Sequence, residues 1–333
     1  MNPVTSSILN RLVSQDGFVS GGELCRELHI TRSAVWKHVA QLREAGYAID
    51  AVTGRGYRLA GLTGAPVAEE VHPLLETHRF GRRFSFLDTT DSTNLQARAI
   101  AREGAEEGAV IVADSQTGGR GRMRRAWASP PGVNLYCSIV LRPPVPTVRV
   151  PEIPLVAAAA IHEALESECP ALGTVIKWPN DLLSGGRKLC GILCEMESEP
   201  DFTHFVVVGF GLNVNLDPVP EELKGIATSL AIEAGAPFSR ARILASVLNC
   251  FERLYTEWLN NRDLGFLLPR LERHAWLQGK AVRIEQFDRI IEGTVTGLSP
   301  QGHLLLRADD GSVTAVSSGE AHLQSINDQQ GPA

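Results

Sequence analysis

The sequence has few cysteines, few aromatic residues and no long hydrophobic run, and each of these features excludes a class of protein. The six cysteines are scattered and form no CxxC pair, which argues against a disulfide framework or a zinc ribbon. We interpret them as small core residues, including the close pair Cys190 and Cys194. The longest uninterrupted apolar run covers residues 205–212 and is far shorter than the roughly 20 residues that span a bilayer.

The N-terminus and the composition also lack the signs of export, disorder or repetition. The first residues show no basic start followed by an apolar stretch and a cleavage site, so we expect a cytoplasmic protein. Hydrophobic residues make up 44% of the chain and charged residues 21%, which is typical of globular chains and not of disordered, collagenous or coiled-coil ones. The length of 333 residues predicts about two domains with room for a small third.

Charge is distributed unevenly along the chain. The formal net charge is -6, yet the first 60 residues hold seven Lys or Arg against five Asp or Glu. A partner that is a polyanion would therefore bind the N-terminal part of the chain.

The first 60 residues have the pattern of a winged helix-turn-helix. Helical spacing over residues 4–13, a capping-box sequence that begins at Ser20 and an N-cap at Thr31 predict three short helices. The third helix, residues 31–45, has apolar residues at helical spacing that face inward. Two short strands around the turn TGRG, residues 53–56, then predict a hairpin.

The outward face of the third helix and the tip of the hairpin carry residue types that bind DNA. These residues are Arg32, Ser33, Trp36, Lys37 and Arg43 on the helix and Arg55 in the turn. A major-groove helix with a phosphate contact from the wing is one interpretation, and an ordinary solvated helical face is the other. The glycine-framed cation of the turn favours DNA binding.

From residue 84 onward strands alternate with helices, which predicts a mixed α/β domain. Helices are predicted from Ser92 and after Ser239, and a Gly- and Pro-containing stretch at residues 61–70 predicts a loosely structured linker before the domain. After Leu277, four short strands separated by Gly turns predict a small closed barrel.

Five short motifs carry residue types suited to a charged or polar ligand. They are DSTN at 91–94, GGRGRMRRAW at 118–127, KWPND at 177–181, GRKLCGIL at 186–193 and GFGLNVN at 209–215. Glycines let a backbone close over a ligand, and Arg and Lys neutralise phosphate or carboxylate charge. Each motif is weak alone, since the Arg-rich segment fits a basic surface loop equally well.

Together these motifs occur in the order and spacing of the biotin-protein ligase family. The resemblance is strong over residues 80–216, and with the N-terminal winged helix the chain resembles the bifunctional class, biotin ligase plus biotin-operon repressor. The loop departs from the family's frequent GRGRRG, because Arg124 replaces its last glycine. Gly319 and Glu320 match the family's final motif loosely.

This resemblance implies an α+β chain of three domains. A winged helix-turn-helix DNA-binding domain is expected at residues 1–62, and a ligase domain with a mixed-sheet, class II synthetase-like α/β fold at 67–275. A small SH3-like β-barrel is expected at 278–326.

The resemblance also implies a two-step ligation. Biotin and MgATP give biotinyl-5′-AMP and pyrophosphate, and a lysine of a biotin carboxyl carrier protein then attacks the mixed anhydride. The first step opposes two anions, so the site must concentrate positive charge where the pentavalent centre forms. Lys188 is predicted to supply this charge as a catalytic residue, with Arg122 as the second, while Arg120 and Mg²⁺ share the phosphate charge.

The remaining site residues follow from the same resemblance. Residues expected to bind biotin or biotinyl-AMP are Ser92, Thr93, Asn94, Gln116, Gly119, Arg120, Gly121, Arg122, Trp127 and Lys188. Residues expected on the ATP or Mg²⁺ side are Lys177, Asp181 and Asn213, although an Asp also caps turns and an Asn also ends strands. Trp178 also fits a core position, and no structural metal is expected.

The expected partners are the carrier protein, operator DNA and, once the adenylate is bound, a second copy of the chain, with no membrane. Two other interpretations stay open. A lipoate-type ligase shares the fold class, although GRGR followed by KWPND favours biotin. A ligand-sensing transcription factor that has lost catalysis would need fewer cations than Lys188 and the loop arginines provide.

Overall fold

The computed structural model describes residues 2–199, 202–286 and 289–324, which form two compact units. One unit contains the chain up to Glu76 together with Phe238–Ser246, and the other contains Thr77–Pro237 and the chain from Val247 onward. Residue 1 of the expected first domain and residues 325 and 326 of the expected last one lie outside the described residues. Within the described chain, every helix is too short or too polar to span a membrane.

The first unit contains the predicted winged helix-turn-helix. Its elements are α1 (Pro3–Val13), α2 (Gly21–Leu28), α3 (Arg32–Glu44), β1 (Ala48–Val52), β2 (Gly56–Gly61) and the short α4 (Ala68–Val71). The capping box is confirmed, since Ser20 Oγ accepts from the Glu23 backbone N–H while the Glu23 carboxylate accepts from that of Ser20. Thr31 caps α3 as predicted. The helices enclose a core of aliphatic residues from all three.

Residues 62–67 have no regular secondary structure, as predicted for a linker, but the stretch at residues 61–70 is firmly held. This stretch is held in the first unit by Glu70, whose carboxylate is buried and accepts from the backbone N–H groups of Thr63 and Gly64 and from the Thr63 hydroxyl. Burial raises the pKa of the nearby Tyr47 hydroxyl, and the charge of Glu70 adds to that rise. A buried carboxylate with three donors fixes the local backbone, a long-range effect that Gly and Pro content does not reveal.

The second unit is organised around a mixed sheet, as predicted, and the sheet has seven strands. Its strands are β3 (Phe84–Thr90), β4 (Val110–Gln116), β5 (Leu135–Leu141), β6 (Val175–Lys177), β7 (Asp181–Ser184), β8 (Arg187–Ser198) and β9 (Thr203–Leu212). The spatial order is β3-β4-β5-β9-β8-β7-β6, with β3 and β4 parallel and the other neighbours antiparallel. Its helices are α5 (Thr93–Arg102), α6 (Ile153–Glu168), α7 (Leu230–Ala234) and α9 (Leu268–Arg273).

Two helices show how the sequence fixes this arrangement. Helix α5 packs on β4, β5 and β9 through small residues such as Ala97 and Ala101, so its N-terminus lies close to the sheet. Helix α8 (Arg240–Asn260) begins after Ser239, whose hydroxyl accepts from the Arg242 backbone N–H as a cap should. Because α5 lies close to the sheet, the DSTN motif at its N-terminus is placed against the strands.

A second, antiparallel sheet of five strands forms the C-terminal part of the described chain. Its strands are β10 (Ala281–Gln286), β11 (Arg289–Leu298), β12 (Leu304–Arg307), β13 (Val313–Val316) and β14 (Glu320–Leu323). The order is β13-β12-β11-β10-β14. The four predicted strands are confirmed. Strand β14 was missed, because it has only four residues and Glu and Ala among them have low β-propensity. SH3-like closure of this sheet stays a prediction.

Candidate active site

The five motifs converge on one cavity of about 310 Å³ in the second unit. The N-terminus of α5, the end of β4, the loop of residues 119–127, the β6–β7 turn and strands β8 and β9 all contribute to its walls. The predicted site residues that line it are Ser92, Thr93, Asn94, Gln116, Arg120, Gly121, Arg122, Trp127, Lys177, Asp181, Lys188 and Asn213. The structure therefore brings together residues up to 121 positions apart in the chain, and places them at two chemically different ends.

One end, which we call the amide end, is a buried hydrogen-bond network around Asn94. Ser138 Oγ lies 2.7 Å from Asn94 Oδ1 and 2.8 Å from Thr93 Oγ1. The Asn94 amide nitrogen donates to Glu195 Oε2 at 2.8 Å. All of these groups except Glu195 are nearly excluded from solvent. The network holds the N-terminus of α5 against strands β5 and β8.

Gln116 extends this network toward the loop. Its side-chain oxygen accepts from the Thr93 backbone N–H at 2.8 Å, and its nitrogen donates to Ser129 Oγ at 3.0 Å. Gly119 does not line the cavity within the described structure. A Cβ at Gly119 would lie 2.7 Å from Ser129 Oγ and 3.0 Å from Gln116 Nε2. The glycine therefore lets the loop pass close behind Gln116.

Two strand glycines make room for the cavity. A Cβ at Gly209 would lie 1.9 Å from Asn94 Oδ1, and a Cβ at Gly211 would lie 2.4 Å from the Trp127 indole nitrogen. Neither distance is compatible with a real side chain, so glycine is required at both positions of β9. The glycines of the GFGLNVN motif thus form the floor on which Asn94 and Trp127 rest.

The other end, which we call the cationic end, is built around Lys188. The Lys188 ammonium lies 2.8 Å from Asp181 Oδ2 and 5.5 Å from the centre of the Trp127 ring. Lys177 follows the same wall and lies 5.5 Å from the ring centre of Trp276. Strand β8 fixes the backbone of Lys188, so the ammonium is held where the strand begins, at the wall of the cavity.

Two buried polar atoms at this end have no hydrogen-bond partner within the described structure. They are the Trp127 indole nitrogen and Asp181 Oδ1. Buried polar groups in native proteins are nearly always paired, so such atoms indicate where a ligand or ion completes the site. The cationic end is therefore incomplete in a way that the amide end is not.

The loop of residues 119–127 closes over the cavity and is attached to the C-terminal sheet. Arg122 donates to Asn180 Oδ1 at 3.1 Å and to the Gly319 carbonyl at 3.2 Å. Arg125 makes a bidentate ion pair with Glu320, with N–O distances of 2.6 and 2.7 Å. Arg120 is exposed at the cavity wall. The loose match of Gly319 and Glu320 thus corresponds to the point where the loop is fastened.

Arg124, at the position of the family's last loop glycine, adopts a left-handed backbone. Its φ is 59°, and that of the preceding Met123 is 53°. This region favours glycine and costs other residues energy. The local conformation that a glycine would favour is thus kept although the glycine is not.

Asn213 has a structural role in addition to its place at the cavity. Its amide nitrogen donates to the Thr228 carbonyl at 2.9 Å, and its oxygen accepts from Asn134 at 3.3 Å. These bonds hold the segment before α7, whose Ile226 carbonyl accepts from the Lys188 backbone N–H. Trp178 is likewise both core and wall, since it is buried, lines the cavity and donates to the Gly302 carbonyl.

Cysteine chemistry does not contribute to this site. Burial raises the pKa of the Cys190 thiol far above its ordinary value and that of Cys194 to about 12. Both thiols are therefore protonated at neutral pH and poor nucleophiles.

Sequence reasoning missed four residues that shape the site: Ser138, Asn180, Glu195 and Glu320. Ser138 and Glu195 lie within strands whose other residues are apolar or alternate, so a polar residue facing inward was the available signal. Asn180 belongs to KWPND and was passed over between two charged neighbours. Glu320 was noted as a motif match, but its ion pair with Arg125 was not predicted, because the two residues are 195 positions apart in the chain.

The predicted DNA-binding residues of the first unit lie where the helix pattern places them. Arg32, Ser33, Trp36 and Lys37 are exposed on α3, with Trp36 66% exposed, while Val35, Val39 and Leu42 are buried on the opposite face. Arg43 donates to the Ile49 carbonyl at 2.6 and 3.0 Å, so part of its donor capacity holds the hairpin. Arg55 is exposed in the hairpin turn with its guanidinium 4.3 Å from the Phe18 ring centre.

Comparison with known proteins agrees with this architecture. Models of an HTH domain, of the biotin/lipoate A/B protein ligase family and of the biotin protein ligase C-terminal domain match residues 4–58, 86–213 and 278–323. The chain is 39% identical over 309 residues to the bifunctional ligase/repressor BirA of Bacillus subtilis, covering 91% of this chain and 94% of that protein. Its identity to the Escherichia coli protein of the same name is 31%, covering 94% and 95%.

A solved structure gives the same result for the second unit's fold. The biotin protein ligase from Aquifex aeolicus in complex with biotin and ATP is 30% identical and superposes with a TM-score of 0.63, covering 73% of this chain and 99% of that one. The resemblance inferred from the five motifs is confirmed. The chain therefore belongs to the biotin-protein ligase family, in the class of bifunctional ligase/repressors.

Proposed function

We propose that this chain is an ATP-dependent biotin-protein ligase that also represses a biotin operon. The observation that carries the proposal is the single cavity in which an amide end and a cationic end meet, with all five family motifs in its walls. A ligand that bears a polar ring at one end and a carboxylate at the other matches this division. Its volume of about 310 Å³ lies within the range of small-molecule sites.

The amide end suits the ureido ring of biotin. Ser92, Thr93, Asn94 and Gln116 offer hydroxyl and amide groups at the N-terminus of α5, where backbone N–H groups are also directed outward. The Trp127 ring over Gly211 then provides an apolar contact for the aliphatic tail. In this placement the carboxylate of biotin reaches the cationic end.

The first reaction step forms a bond between a biotin carboxylate oxygen and the α-phosphorus of ATP and breaks the bond to pyrophosphate. Negative charge grows on the α-phosphate oxygens, and the Lys188 ammonium stabilises it. Asp181 holds that ammonium in position through its 2.8 Å contact. Arg120 and Arg122 of the loop add further positive charge. Because the reaction needs no protein nucleophile, Lys188 and these arginines act by positioning the substrates and stabilising charge.

Asp181 also fits the requirements of a Mg²⁺ ion that accompanies ATP. Mg²⁺ sites of this kind use one or two carboxylates together with substrate phosphates and water. Asp181 Oδ1 is a buried carboxylate oxygen that lacks a partner in the described chain, while Oδ2 pairs with Lys188. Mg²⁺ bound there would neutralise phosphate charge, and Asn213 would remain in its structural contacts.

The second step transfers the biotinyl group to a carrier lysine. The neutral lysine amine attacks the anhydride carbonyl, the bond to the phosphate oxygen breaks, AMP leaves and the amine loses a proton. Until the carrier docks, water must be kept from the anhydride, and the loop fastened by Arg122 and Arg125 provides this cover.

The ligase proposal is tested by the mass of a carrier. The protein is incubated with biotin, ATP, MgCl₂ and an apo carrier domain, and we expect the carrier to gain one biotinyl group. Lipoic acid in place of biotin should give no modification. Modification by lipoic acid alone would favour the lipoate-type alternative, and biotin binding without pyrophosphate release would favour a sensor that has lost catalysis.

The repressor proposal is carried by the exposed face of α3. Lys37 and Arg32 are exposed cations beside Trp36, on a helix whose other face is buried. We expect Lys37→Ala to weaken operator binding and to lower the slope of log affinity against log salt by about 1, as loss of one phosphate contact does. Arg11→Ala changes a partly exposed cation of α1 that pairs with Glu27; it is the control and should bind DNA as the parent does.

We also propose that the free protein is mostly monomeric and dimerises with biotinyl-AMP. A single winged helix makes few phosphate contacts, so useful operator affinity needs two copies on one palindromic site. Sedimentation and gel-shift experiments with and without biotinyl-AMP test this. Equal DNA affinity in the two conditions would contradict the repressor proposal and leave the ligase proposal standing.

A further inference from the structure

A cluster of metal-ligating side chains lies outside the ligase cavity. It comprises His162 and Glu166 of α6 and His274, which follows α9. One ligand atom from each residue lies within 4.8 Å of the other two, and within the described residues this is the one such group of His, Cys, Asp and Glu side chains. None of the three lines the cavity that we assign to biotin and ATP.

We infer that His162, Glu166 and His274 form a binding site for a divalent transition-metal ion of the zinc type. Two imidazoles and one carboxylate suit Zn²⁺ or Co²⁺, whereas Mg²⁺ and Ca²⁺ prefer oxygen ligands alone. Three protein ligands leave a fourth position for water, which is available because Glu166 and His274 border an open surface depression.

His162 is the strongest element of the argument. Its side chain is only 1% exposed, and its Nε2 lies 3.0 Å from the Thr174 carbonyl. A carbonyl accepts, so Nε2 carries the proton and Nδ1 is left with a lone pair. Nδ1 is buried and has no hydrogen-bond partner in the described chain. Metal-ligating histidines typically donate their second nitrogen to a carbonyl in this way, which orients the lone pair toward the ion.

Glu166 of α6 and His274, which follows α9, complete the set of three ligands. Helical i,i+4 spacing places Glu166 on the same face of α6 as His162, and its two oxygens lie 3.5 Å from His162 Nδ1 and 3.8 Å from His274 Nε2. The two imidazole rings are 4.1 Å apart between centres. Glu166 is 48% exposed and His274 22%, so both can move the short distance that metal bonds of about 2 Å require.

One of the two arginines beside the site is paired with a carboxylate. Arg270 and Arg273 border the same depression, but Arg270 forms an ion pair with Glu163, whose carboxylate also pairs with Arg253.

A bound ion would brace the strand that leads into the ligase cavity. The His274 carbonyl accepts from the Ile176 N–H at 2.8 Å, and the Ile176 carbonyl accepts from the Trp276 N–H at 2.9 Å. Ile176 belongs to β6, and the next residue, Lys177, lines the cavity. The ion would thus join α6 to the chain segment that pairs with β6.

Zinc binding to matched variants tests the inference. The full chain, free of any affinity tag and treated with chelator, is dialysed against ZnCl₂, and we expect one zinc per chain. Glu166→Gln and His274→Gln should each weaken the affinity by about tenfold or more, because even loss of an outer contact costs 10–100-fold. The control is His204→Gln, an exposed histidine 3.3 Å from Glu199 that has no third ligand among the described residues, and it should bind zinc as the parent does.

Two further measurements distinguish zinc binding at this site from binding to cysteines and from effects of misfolding. Co²⁺ should give weak visible bands typical of nitrogen and oxygen ligands, without the intense thiolate charge-transfer band that a cysteine site produces. Zinc should raise the melting temperature of the parent and of His204→Gln but not of Glu166→Gln. Because the Glu166 side chain is 48% exposed, we expect this variant to fold as the parent does. Equal zinc affinity in all four proteins, a thiolate band, or no zinc bound by the parent would overturn the inference.

Discussion

The two ends of the ligase cavity differ in how far the protein completes them by itself. At the amide end, Asn94, Ser138 and Glu195 pair with one another, and Gln116 is bonded to both Thr93 and Ser129. At the cationic end, one oxygen of Asp181 and the indole nitrogen of Trp127 have no partner in the described structure. Folding alone therefore pairs the polar groups of the amide end, whereas those of the cationic end would be fully paired only with a bound ligand.

This difference assigns separate tasks to the two ends. A hydrogen-bonded site that is formed in advance holds its groups in one geometry, so a ligand that fits binds without the cost of ordering them. A cationic site with paired but accessible charges instead stabilises charge that develops during the reaction. Changes at the amide end should therefore act on ligand binding, and changes at the cationic end on the rate of adenylation.

Among the changes outside the cationic end, the largest loss of exchange activity is expected from Gly209→Ala, which displaces groups of the amide end. Its new Cβ would lie 1.9 Å from Asn94 Oδ1, so the network must shift. A displacement of about 1 Å costs on the order of 10²-fold in kcat/KM, which we expect mainly as a raised KM for biotin, and overpacking costs about 1–3 kcal/mol of unfolding free energy. Biotin-dependent ATP–pyrophosphate exchange and thermal melting measure both.

Gly22→Ala is the matched control for this substitution. Its Cβ would meet Ser20 Oγ at 3.9 Å, an ordinary contact. Exchange should match that of the parent. A Gly209→Ala protein with exchange within threefold of the parent would show that the amide end tolerates displacement.

Arg122→Gly is expected to loosen the loop with a smaller effect. It removes the bonds to Asn180 and to the Gly319 carbonyl. Loss of about 1.4 kcal/mol would raise the rate of biotinyl-AMP release about tenfold. Released adenylate and labelling of lysines on bystander proteins are the readouts, and parent-level values of both would remove Arg122 from the loop's closure.

Sequence patterns predicted the local features and missed the long-range ones. The capping box at Ser20 and the cap at Thr31 depend on residues three positions away, so they can be recognised from the sequence. The buried carboxylate of Glu70, which orders the supposed linker, and the Ser138 contact to Asn94 depend on tertiary packing. Strand β14 was missed for a related reason, because four residues are too few to be recognised from their pattern and pairing with β10 stabilises them as a strand.

The family resemblance located the cavity residues but not their division of labour. Asn213, expected either toward ATP or as a strand-end residue, lines the cavity and also bonds to Thr228 and Asn134, and its role toward ATP stays a prediction. The resemblance placed Gly119 against the ligand, whereas close packing on Ser129 explains that glycine. Such differences appear only when side-chain partners are known.

Glu320→Gln should have a modest effect on the loop. Burial raises the pKa of Glu320, but the hydrogen bond and charge of Arg125 outweigh this and hold the pKa below its ordinary value of 4.5. A lowered pKa means that the ion pair contributes fully above pH 4.5 and is lost as the pH falls through the lowered value. The pair is partly exposed, so its removal should speed tryptic cleavage of the loop at neutral pH by no more than about fivefold.

The variant should also abolish the acid sensitivity of the loop. Limited proteolysis by an acid-active protease should cut the parent faster below pH 4.5 than above it, after correction with an unstructured peptide. The same profile in Glu320→Gln as in the parent would show that another group fastens the loop.

The smallest effect is expected from Arg124→Gly. The left-handed φ of 59° strains an arginine, and glycine removes the strain but gains freedom in the unfolded chain. The free energy of unfolding should rise by no more than about 1 kcal/mol, measured by urea denaturation, with exchange unchanged. A clear loss of stability would contradict the backbone conformation described for this position.

The central claim is that Lys188 stabilises the charge that develops at the α-phosphate, and one measurement addresses it directly. Biotin-dependent exchange of pyrophosphate into ATP is compared for the parent, Lys188→Ala and Lys224→Ala, the last an exposed lysine paired with Glu221. We predict a loss of about 10²-fold or more for Lys188→Ala, as removal of one transition-state donor costs, and none for Lys224→Ala. An exchange rate in Lys188→Ala within twofold of the parent would contradict the account.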